Sequence, residues 1–253
     1  MNIQSVDHGG TFDFGKTAVQ YARYRDIYPP QLYEKLHALS VGKAETRWLD
    51  VGTGTGVLPL HLYTDGASIT GADISPQQIE AAKQLAREKN APVEFIVSPA
   101  EHLPFADGTF DCVTAAQCFW YFERGAMIAE LRRVLKPGGI FVKVYMTWSL
   151  QDPIARRSHR LVKRMNPDWT PGVTGYRDVY DHPFPNGKVD VFDADLPFTR
   201  ASWHGRMLAC RGTMASMDAE TLAKWDVRHR RILAKFPEDF TVRHRIYIAS
   251  YTL

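Results

Sequence analysis

Glycines occupy every second position after an apolar run in the stretch WLDVGTGTG, residues 48–56. Glycine permits a tight backbone turn and leaves room for a ligand against the main chain. A dinucleotide-binding turn would have the spacing Gly-x-Gly-x-x-Gly. Here the third glycine, Gly56, comes one residue early, and Val57 stands where that motif has its last glycine. Asp50 precedes the turn and would repel a pyrophosphate, so the pattern predicts a ligand-binding turn but disfavours a dinucleotide.

The elements around this turn alternate between strand and helix. Strands are predicted over 45–53, 67–74, 93–97, 110–118 and 140–146. Helices are predicted to begin near Val57, after the Ser75 N-cap, and over 123–135, the last closed by Lys136-Pro137-Gly138-Gly139. This alternation predicts a parallel, doubly wound sheet, in which ligands bind beyond the carboxyl ends of the strands. Three further polar residues fall near such ends: Asp73, Glu101 and Gln117.

The pattern changes after residue 147. A helix is predicted from Asp152-Pro153 to Asn166-Pro167, a strand over 189–199, and a mostly helical stretch over 200–236. The segment 240–253 alternates strongly between apolar and polar residues, which predicts a last, antiparallel strand.

Composition narrows the functional classes. The 253 residues carry a formal net charge of +3, too small to argue for a nucleic-acid partner. Residues 1–150 hold 14 Lys and Arg against 16 Asp and Glu, whereas residues 151–253 hold 17 against 12, which favours an acidic partner or substrate for the second part. Three cysteines without a Cys-x-x-Cys pair indicate reduced thiols, no metal site and a cytoplasmic location. No apolar run is long enough for a membrane span, and no secretory signal is visible, so no membrane partner is expected.

Five stretches in order resemble the class I S-adenosylmethionine-dependent methyltransferases, in particular the small-molecule group that includes the ubiquinone-pathway and trans-aconitate enzymes. They are FDFGKTAVQYARYRDIYP, LDVGTGTG, GADIS, SPAEHLPFADGTFDCVTAAQCFWYF and ELRRVLKPGG, and they cover about residues 10–147. The resemblance implies an α/β fold, a doubly wound, mostly parallel seven-stranded sheet with a helical cap. It also implies S-adenosylmethionine as the cofactor and S-adenosylhomocysteine as its product.

The resemblance assigns the cofactor contacts by motif. Asp50 would meet the ammonium, the glycine turn the methionyl tail, Asp73 the ribose hydroxyls and Ile74 the adenine. The full implied set is Asp50, Gly52, Thr53, Gly54, Gly56, Asp73, Ile74, Ala100, Glu101 and Gln117. Two positions depart from the family pattern: Pro99 replaces an aspartate that often meets the adenine amino group, and Trp120 replaces a frequent histidine. A histidine base at that place is therefore ruled out.

The acceptor side is expected from segments outside the strand–helix alternation. Within a single domain over 1–253, residues 1–30 and 148–236 are the candidate substrate cap. The candidate acceptor contacts are Tyr21, Arg25, Tyr145, Trp148, His204 and Arg206. Their charges favour a small carboxylate or another anionic acceptor. An RNA or protein methyltransferase and a non-catalytic cofactor-binding protein stay open as alternatives, the former because of the Arg-rich helix that begins at Pro153.

Overall fold

Seven strands form one sheet in the computed structural model, which describes residues 6–24, 26–63, 66–171 and 182–253. The strands are β1 (Arg47–Val51), β2 (Ser68–Asp73), β3 (Glu94–Val97), β4 (Phe110–Ala116), β5 (Leu135–Trp148), β6 (Lys188–Thr199) and β7 (Asp239–Thr252). Their order across the sheet is β3-β2-β1-β4-β5-β7-β6. The order reverses between β1 and β4, which places the switch point of the sheet beside the glycine turn.

Strands β1 to β5 are parallel to one another, and β7 is antiparallel to β5. The amide of Gly138 donates to the carbonyl of Leu253, and the amide of Ser149 donates to that of Arg243, so β5 and β7 pair in opposite directions. On the other side of β7, Arg243 and Arg245 form ion pairs with Asp195 and Asp193 of β6, again in antiparallel register. The mostly parallel seven-stranded sheet and its antiparallel last strand confirm the predictions.

The described α-helices follow the predicted alternation in the first part of the chain. They are α1 (Ala18–Tyr24), α2 (Pro30–Ala38), α3 (Val57–Leu62), α4 (Pro76–Lys89), α5 (Arg124–Val134), α6 (Pro153–Met165), α7 (Arg200–Leu208) and α8 (Ala219–Leu233). Side chains cap the two helices whose starts were predicted from Ser-Pro and Asp-Pro. The Ser75 hydroxyl accepts a hydrogen bond from the amide of Gln78, and the Asp152 carboxylate accepts from those of Ile154 and Ala155.

The predicted turn Lys136–Gly139 is wrong as a connection between helix and strand. Helix α5 ends at Val134 and β5 begins at the next residue, so these four residues belong to the strand. Leu135 pairs with Phe110 and Ile140 with Cys112, which leaves the four residues in an irregularity of the β4–β5 ladder. Their backbone is held instead by the end of β7, where Leu253 exchanges hydrogen bonds with Gly138 and Gly139. A pairing so distant in sequence cannot be read from local turn residues.

The chain divides into two compact units. The unit formed by Tyr28–Tyr145, Gly175–Val191 and Ile246–Leu253, here called the sheet unit, has a core of buried apolar strand residues such as Leu49, Val113 and Phe141. The other, here called the helical unit, comprises Met1–Ile27, Met146–Thr174 and Phe192–Arg245, and its core contains the fully buried Trp203 and Trp225. The predicted cap segments fall largely in the helical unit, and their closure over an acceptor stays a prediction. None of the helices in the described part of the chain has the length and apolar character needed to cross a bilayer.

Candidate functional site

The glycine turn between β1 and α3 lies in the sheet unit with a left-handed backbone at each glycine. The φ angles are +63° at Gly52, +57° at Gly54 and +76° at Gly56. Space at the turn is already limited, because a Cβ on Gly52 would lie 2.7 Å from Sγ of Cys118. The turn therefore presents main chain rather than side chains at the carboxyl end of β1.

Asp50 is a buried acid at the end of β1. The hydroxyl of Thr114 on β4 donates to its carboxylate, and Trp48 Nε1 in turn donates to Thr114 Oγ1 at 2.8 Å. Burial raises the pKa of Asp50 to about 7, because a carboxylate loses hydration there, and the hydrogen bond from Thr114 opposes that rise only in part. Among the described residues no cationic side chain forms an ion pair with Asp50. The site thus holds an acid that a cationic ligand group would stabilise in its ionised form.

Asp73 fastens the glycine turn to the next helix. One carboxylate oxygen accepts the amide of Gly54 at 2.9 Å, and the other accepts the amide of Ser75, the N-cap of α4, at 2.9 Å. Burial raises the pKa of Asp73, whereas these amide donors lower it. Each oxygen retains lone-pair capacity beyond these bonds, so the side chain can accept from two neighbouring hydroxyls while it holds the turn.

The three residues expected near an adenine have different surroundings. Ile74 is 53% exposed, an unusual fraction for a large aliphatic side chain, and it follows the half-buried Asp73. Val97, the strand partner of Asp73, has the same exposure. Ala100 is buried, and Glu101 accepts the amide of Glu123, the N-cap of α5, at 2.9 Å. Glu101 therefore anchors the loop after β3 to α5 with one oxygen.

Gln117 follows β4 in a left-handed conformation with φ +63°, which is rare for a residue with a side chain. Its amide donates to the carbonyl of Val144 on β5 and holds this geometry. The next residue, Cys118, packs against the glycine turn and donates from Sγ to the carbonyl of Val51. Strained backbone of this kind is common at ligand sites, and here it lies at the switch point.

Tyr145, a predicted acceptor contact, belongs to an aromatic group in the sheet unit. Its ring centroid lies 5.2 Å from that of Trp120 and 6.1 Å from that of Tyr247. Trp120 stands where the family resemblance leads to the expectation of a histidine. The group therefore has an indole in place of an imidazole after β4, next to the phenol rings of Tyr145 and Tyr247.

Trp148 and Arg206, two further predicted acceptor contacts, pack against each other in the helical unit. The guanidinium of Arg206 lies 5.2 Å from the ring centroid of Trp148, and Arg206 Nη1 donates to Sγ of Cys210 at 3.1 Å. Arg206 is only 2% exposed. A role toward an anionic acceptor stays a prediction for this residue, which the structure places in a buried cation–π contact.

His204 lies in a cluster with His229, Asp226 and Ser158, here called the histidine cluster. Its Nδ1 is 2.8 Å from Nδ1 of His229, and its Nε2 is 2.8 Å from Oδ1 of Asp226. His229 Nε2 continues the chain to Ser158 Oγ at 2.9 Å. Both ring nitrogens of His204 thus have partners within the helical unit, and the side chain joins α7 to α8. Its contact with the acceptor stays a prediction.

Two of the predicted acceptor contacts, Tyr21 and Arg25, come from the leading segment. Tyr21 lies on α1, which packs against α7 through Tyr24, whose ring occupies the space beside Gly205. Arg25 lies outside the described residues. Among the residues that the structure does describe, no group of three or more His, Cys, Asp and Glu side chains could hold a metal ion.

Sequence reasoning missed the residues that support the turn from behind. Thr114 donates to Asp50, Cys118 packs against Gly52, and Phe95 fills the space beside Gly56, where its ring would lie 2.6 Å from an added Cβ. Of these three residues, only Thr114 could have been recognised in the sequence, because its hydroxyl lies within the otherwise apolar centre of its strand. The other two are apolar residues whose contacts depend on sheet order.

Comparison with known proteins matches part of the chain to a family. The family described as "Methyltransferase domain" matches residues 49–143, which include the glycine turn, Asp73 and β4. The demethylmenaquinone methyltransferase of Thermus thermophilus is 42% identical over 107 residues, 41% of this chain and 49% of that protein. The chain spans about half the length, or less, of the curated relatives it matches.

Solved structures share the architecture at low identity. The YcgJ protein of Bacillus subtilis has a TM-score of 0.55 at 22% identity, covering 87% of this chain and 97% of its own. The [4+2]-cyclase SpnF has a TM-score of 0.53 at 21% identity, covering 87% of this chain and 79% of its own. At these identities the likeness shows the fold alone, and the cyclase illustrates that one fold can support different reactions. Residues 49–143 therefore match the methyltransferase-domain family, and the chain resembles the class I S-adenosylmethionine-dependent methyltransferases in the order of its motifs and in the architecture of its sheet.

Proposed function

We propose that this protein transfers a methyl group from S-adenosylmethionine to a small molecule. The observation that carries the proposal is the pair of acids at the glycine turn: Asp50, buried with a raised pKa, and Asp73, bonded to Gly54 and Ser75. The cofactor offers a cationic ammonium and a pair of ribose hydroxyls, and these two acids offer the matching acceptors. The exposed Ile74 adds an apolar surface for the adenine. The residues present therefore fit the cofactor.

Bound S-adenosylmethionine supplies a methyl group on a sulfonium, a good leaving group. The chain's contribution would be mainly positional. Asp50 and the main chain of residues 52–56 would hold the methionyl end, Asp73 the ribose, and Ala100 would offer a backbone N–H beside the adenine. Thr53 belongs to this turn. Glu101 lies in the loop after β3, and Gln117 directly follows β4. We assign no general base, because an acceptor that is already ionised needs none.

The acceptor class is the finer part of the proposal. The positive balance after residue 150 supports a carboxylate or another anion, whereas the name of the Thermus thermophilus relative suggests an aromatic acceptor related to demethylmenaquinone. A screen with isotopically labelled cofactor should therefore include organic acids and hydroxylated aromatic compounds side by side. Methyl transfer to one panel selects that class. Cofactor binding without transfer to either panel, or to RNA and protein acceptors, would favour the non-catalytic alternative.

Asp73→Ala is expected to weaken binding of S-adenosylmethionine and S-adenosylhomocysteine by roughly 1–3 kcal/mol, the scale of a hydrogen bond to a charged group. Titration calorimetry measures this directly, and NAD should show no binding to the wild-type protein. Asp73→Asn, which keeps one acceptor oxygen, should lose less. If a folded Asp73→Ala variant binds as tightly as the wild type, the ribose is held elsewhere.

Cofactor affinity should also depend on Asp50 ionisation. The pKa of Asp50 is about 7 in the absence of ligand, and the ammonium would favour the ionised acid, so affinity should rise about tenfold between about pH 5.5 and 7. The cofactor's own ammonium, with a pKa near 8, stays protonated over this window. Calorimetry in buffers of different ionisation enthalpy should show proton release on binding. Asp50→Asn should abolish both effects, and an unchanged pH profile in that variant would assign the dependence to another group.

A further inference from the structure

Helix α6 carries five cationic side chains and no acidic one between its ends. Arg156, Arg157, Arg160, Lys163 and Arg164 are all exposed, while its apolar residues, among them Ile154 and Leu161, are buried in the helical unit. Like charges three and four residues apart on a helix repel each other. The amphipathic pattern explains the burial of one face, but it does not explain why the other face is exclusively basic.

A second stripe of cations runs along the end of helix α8 and just past it. Arg228 and Arg231 lie on the helix, and Lys235 follows two residues after its end; the three are exposed and are spaced by three and four residues. The stripes meet, because the guanidinium of Arg157 lies 5.1 Å from the ring of Phe236, the residue after Lys235. We call the surface formed by the two stripes the basic face; its residues are Arg157, Arg160, Arg164, Arg228, Arg231 and Lys235.

The acids of the helical unit do not neutralise this face. Asp226 pairs with Arg230 and Glu220 with Lys224, while Asp193 and Asp195 pair with arginines of β7. Within the described ranges, Arg160, Arg164, Arg228, Arg231 and Lys235 have no ion pair with an acidic side chain. Consequently the basic face keeps a positive electrostatic potential. Most of its cations are arginines, whose guanidinium groups carry forked N–H donors. That chemistry fits phosphate groups.

We propose that the basic face docks the protein on an anionic phospholipid surface. Exposed aliphatic residues accompany the charges: Val227 is 52% exposed beside Arg228, and Leu150 is 48% exposed just before α6. Cations with a few apolar side chains are the composition of a peripheral membrane contact. The proposal departs from the sequence-based expectation of no membrane partner, and it does not depend on the proposed methyl transfer.

A nucleic acid fits the same surface less well. Single-stranded nucleic acids bind where aromatic side chains offer stacking platforms. Among the large hydrophobic side chains exposed in the described ranges, all are aliphatic: Val19, Ile74, Val97, Leu150, Val191 and Val227. The sequence pI of about 8.7 also lies below the range typical of nucleic-acid-binding domains.

Vesicle flotation of the full chain tests the proposal. Wild-type protein should float with phosphatidylglycerol-containing vesicles at low salt and should dissociate from them at high salt. It should not bind vesicles of pure phosphatidylcholine. The triple variant Arg160→Gln, Arg164→Gln, Arg231→Gln should lose at least about tenfold in partitioning, given the contribution of each cation near an anionic surface. The matched control Lys83→Gln, Arg87→Gln, Lys89→Gln removes three exposed cations from α4 and should partition like the wild type.

Three results would overturn the proposal. The first is the absence of wild-type flotation with anionic vesicles at low salt. The second is an equal loss in both triple variants, because this would reflect net charge rather than the basic face. The third is loss of vesicle binding when duplex or single-stranded RNA is added at equal phosphate concentration. This result would identify a nucleic acid, rather than a membrane, as the partner of the basic face. Thermal melting of each variant establishes that it is folded before flotation is compared.

Discussion

A Gly54→Val variant is expected to lose S-adenosylmethionine binding by about a hundredfold or more, roughly 3 kcal/mol. Gly54 has φ +57°, and its amide donates to Asp73 at 2.9 Å. A β-branched residue is a genuine outlier at positive φ, so the turn must rearrange and this hydrogen bond is lost. The branched side chain would also enter the space beside the main chain that the methionyl tail is proposed to occupy. Titration calorimetry with S-adenosylmethionine measures the loss.

The matched control for this variant is Gly108→Val. Gly108 has nearly the same backbone conformation, φ +60°, and no atom lies within 4 Å of an added Cβ. It sits in the turn before β4 in the sheet unit, far along the strand from the carboxyl end. Both variants should lose similar stability from strain, about 1–3 kcal/mol, but Gly108→Val should bind the cofactor normally. Equal affinity of Gly54→Val and wild type would contradict the proposed cofactor site.

Much of the fold could be predicted because its signals are local. Ser75-Pro76 and Asp152-Pro153 mark helix starts through capping, and both helices begin where predicted. Strand β5 shows the limit of this reasoning. Its first residues contain a proline and two glycines, which locally indicate a turn, yet hydrogen bonds from Leu253 hold them in the sheet. The partner lies more than a hundred residues away, so no local pattern reveals it.

The cofactor side of the candidate site could be predicted from local motifs, whereas the environment of the acceptor residues depends on contacts that are distant in sequence. Asp50, Gly54 and Asp73 lie within two short motifs at strand ends, and the geometry brings them together through the Gly54–Asp73 hydrogen bond. The expected acceptor residues were chosen from type alone, as arginine, histidine or aromatic side chains outside the alternation. For such residues, burial decides their environment. Arg206 is buried against Trp148, and His204 is bonded on both nitrogens.

The histidine cluster can satisfy its hydrogen bonds with both rings neutral. In this arrangement the single hydroxyl proton of Ser158 goes to His229 Nε2 rather than to the carbonyl of Ile154, which also lies 2.9 Å from Ser158 Oγ. His229 Nδ1 then donates to His204 Nδ1, and His204 Nε2 donates to Asp226. An added proton needs a different arrangement, because two protonated Nδ1 atoms cannot face each other at 2.8 Å. Burial, with the neighbouring His204 as a further cause, lowers the pKa of His229 from 6.5 to about 3. Burial also lowers the pKa of His204, which Asp226 only partly opposes.

These shifts fix the sign of a stability change with pH. A histidine whose pKa is lower in the folded state binds fewer protons there than in the unfolded chain. Its contribution is therefore complete above about pH 6.5 and is lost as the pH falls below that value. One such group gives a slope of up to about 1.4 kcal/mol per pH unit. We expect the free energy of unfolding to fall by about 2–3 kcal/mol between about pH 6.5 and 4.5 through His229.

Urea unfolding at a series of pH values, followed by tryptophan fluorescence, tests this expectation. A His229→Phe variant cannot take up the proton, so its stability should be lower at neutral pH, where Ser158 loses a partner, but should fall less steeply below pH 6.5. The control His37→Gln removes an exposed histidine from α2 and should keep the wild-type slope. If His229→Phe retains the full slope while His37→Gln does as well, other groups carry the acid sensitivity. A flattened slope in His229→Phe alone would assign the sensitivity to the cluster that joins α6, α7 and α8.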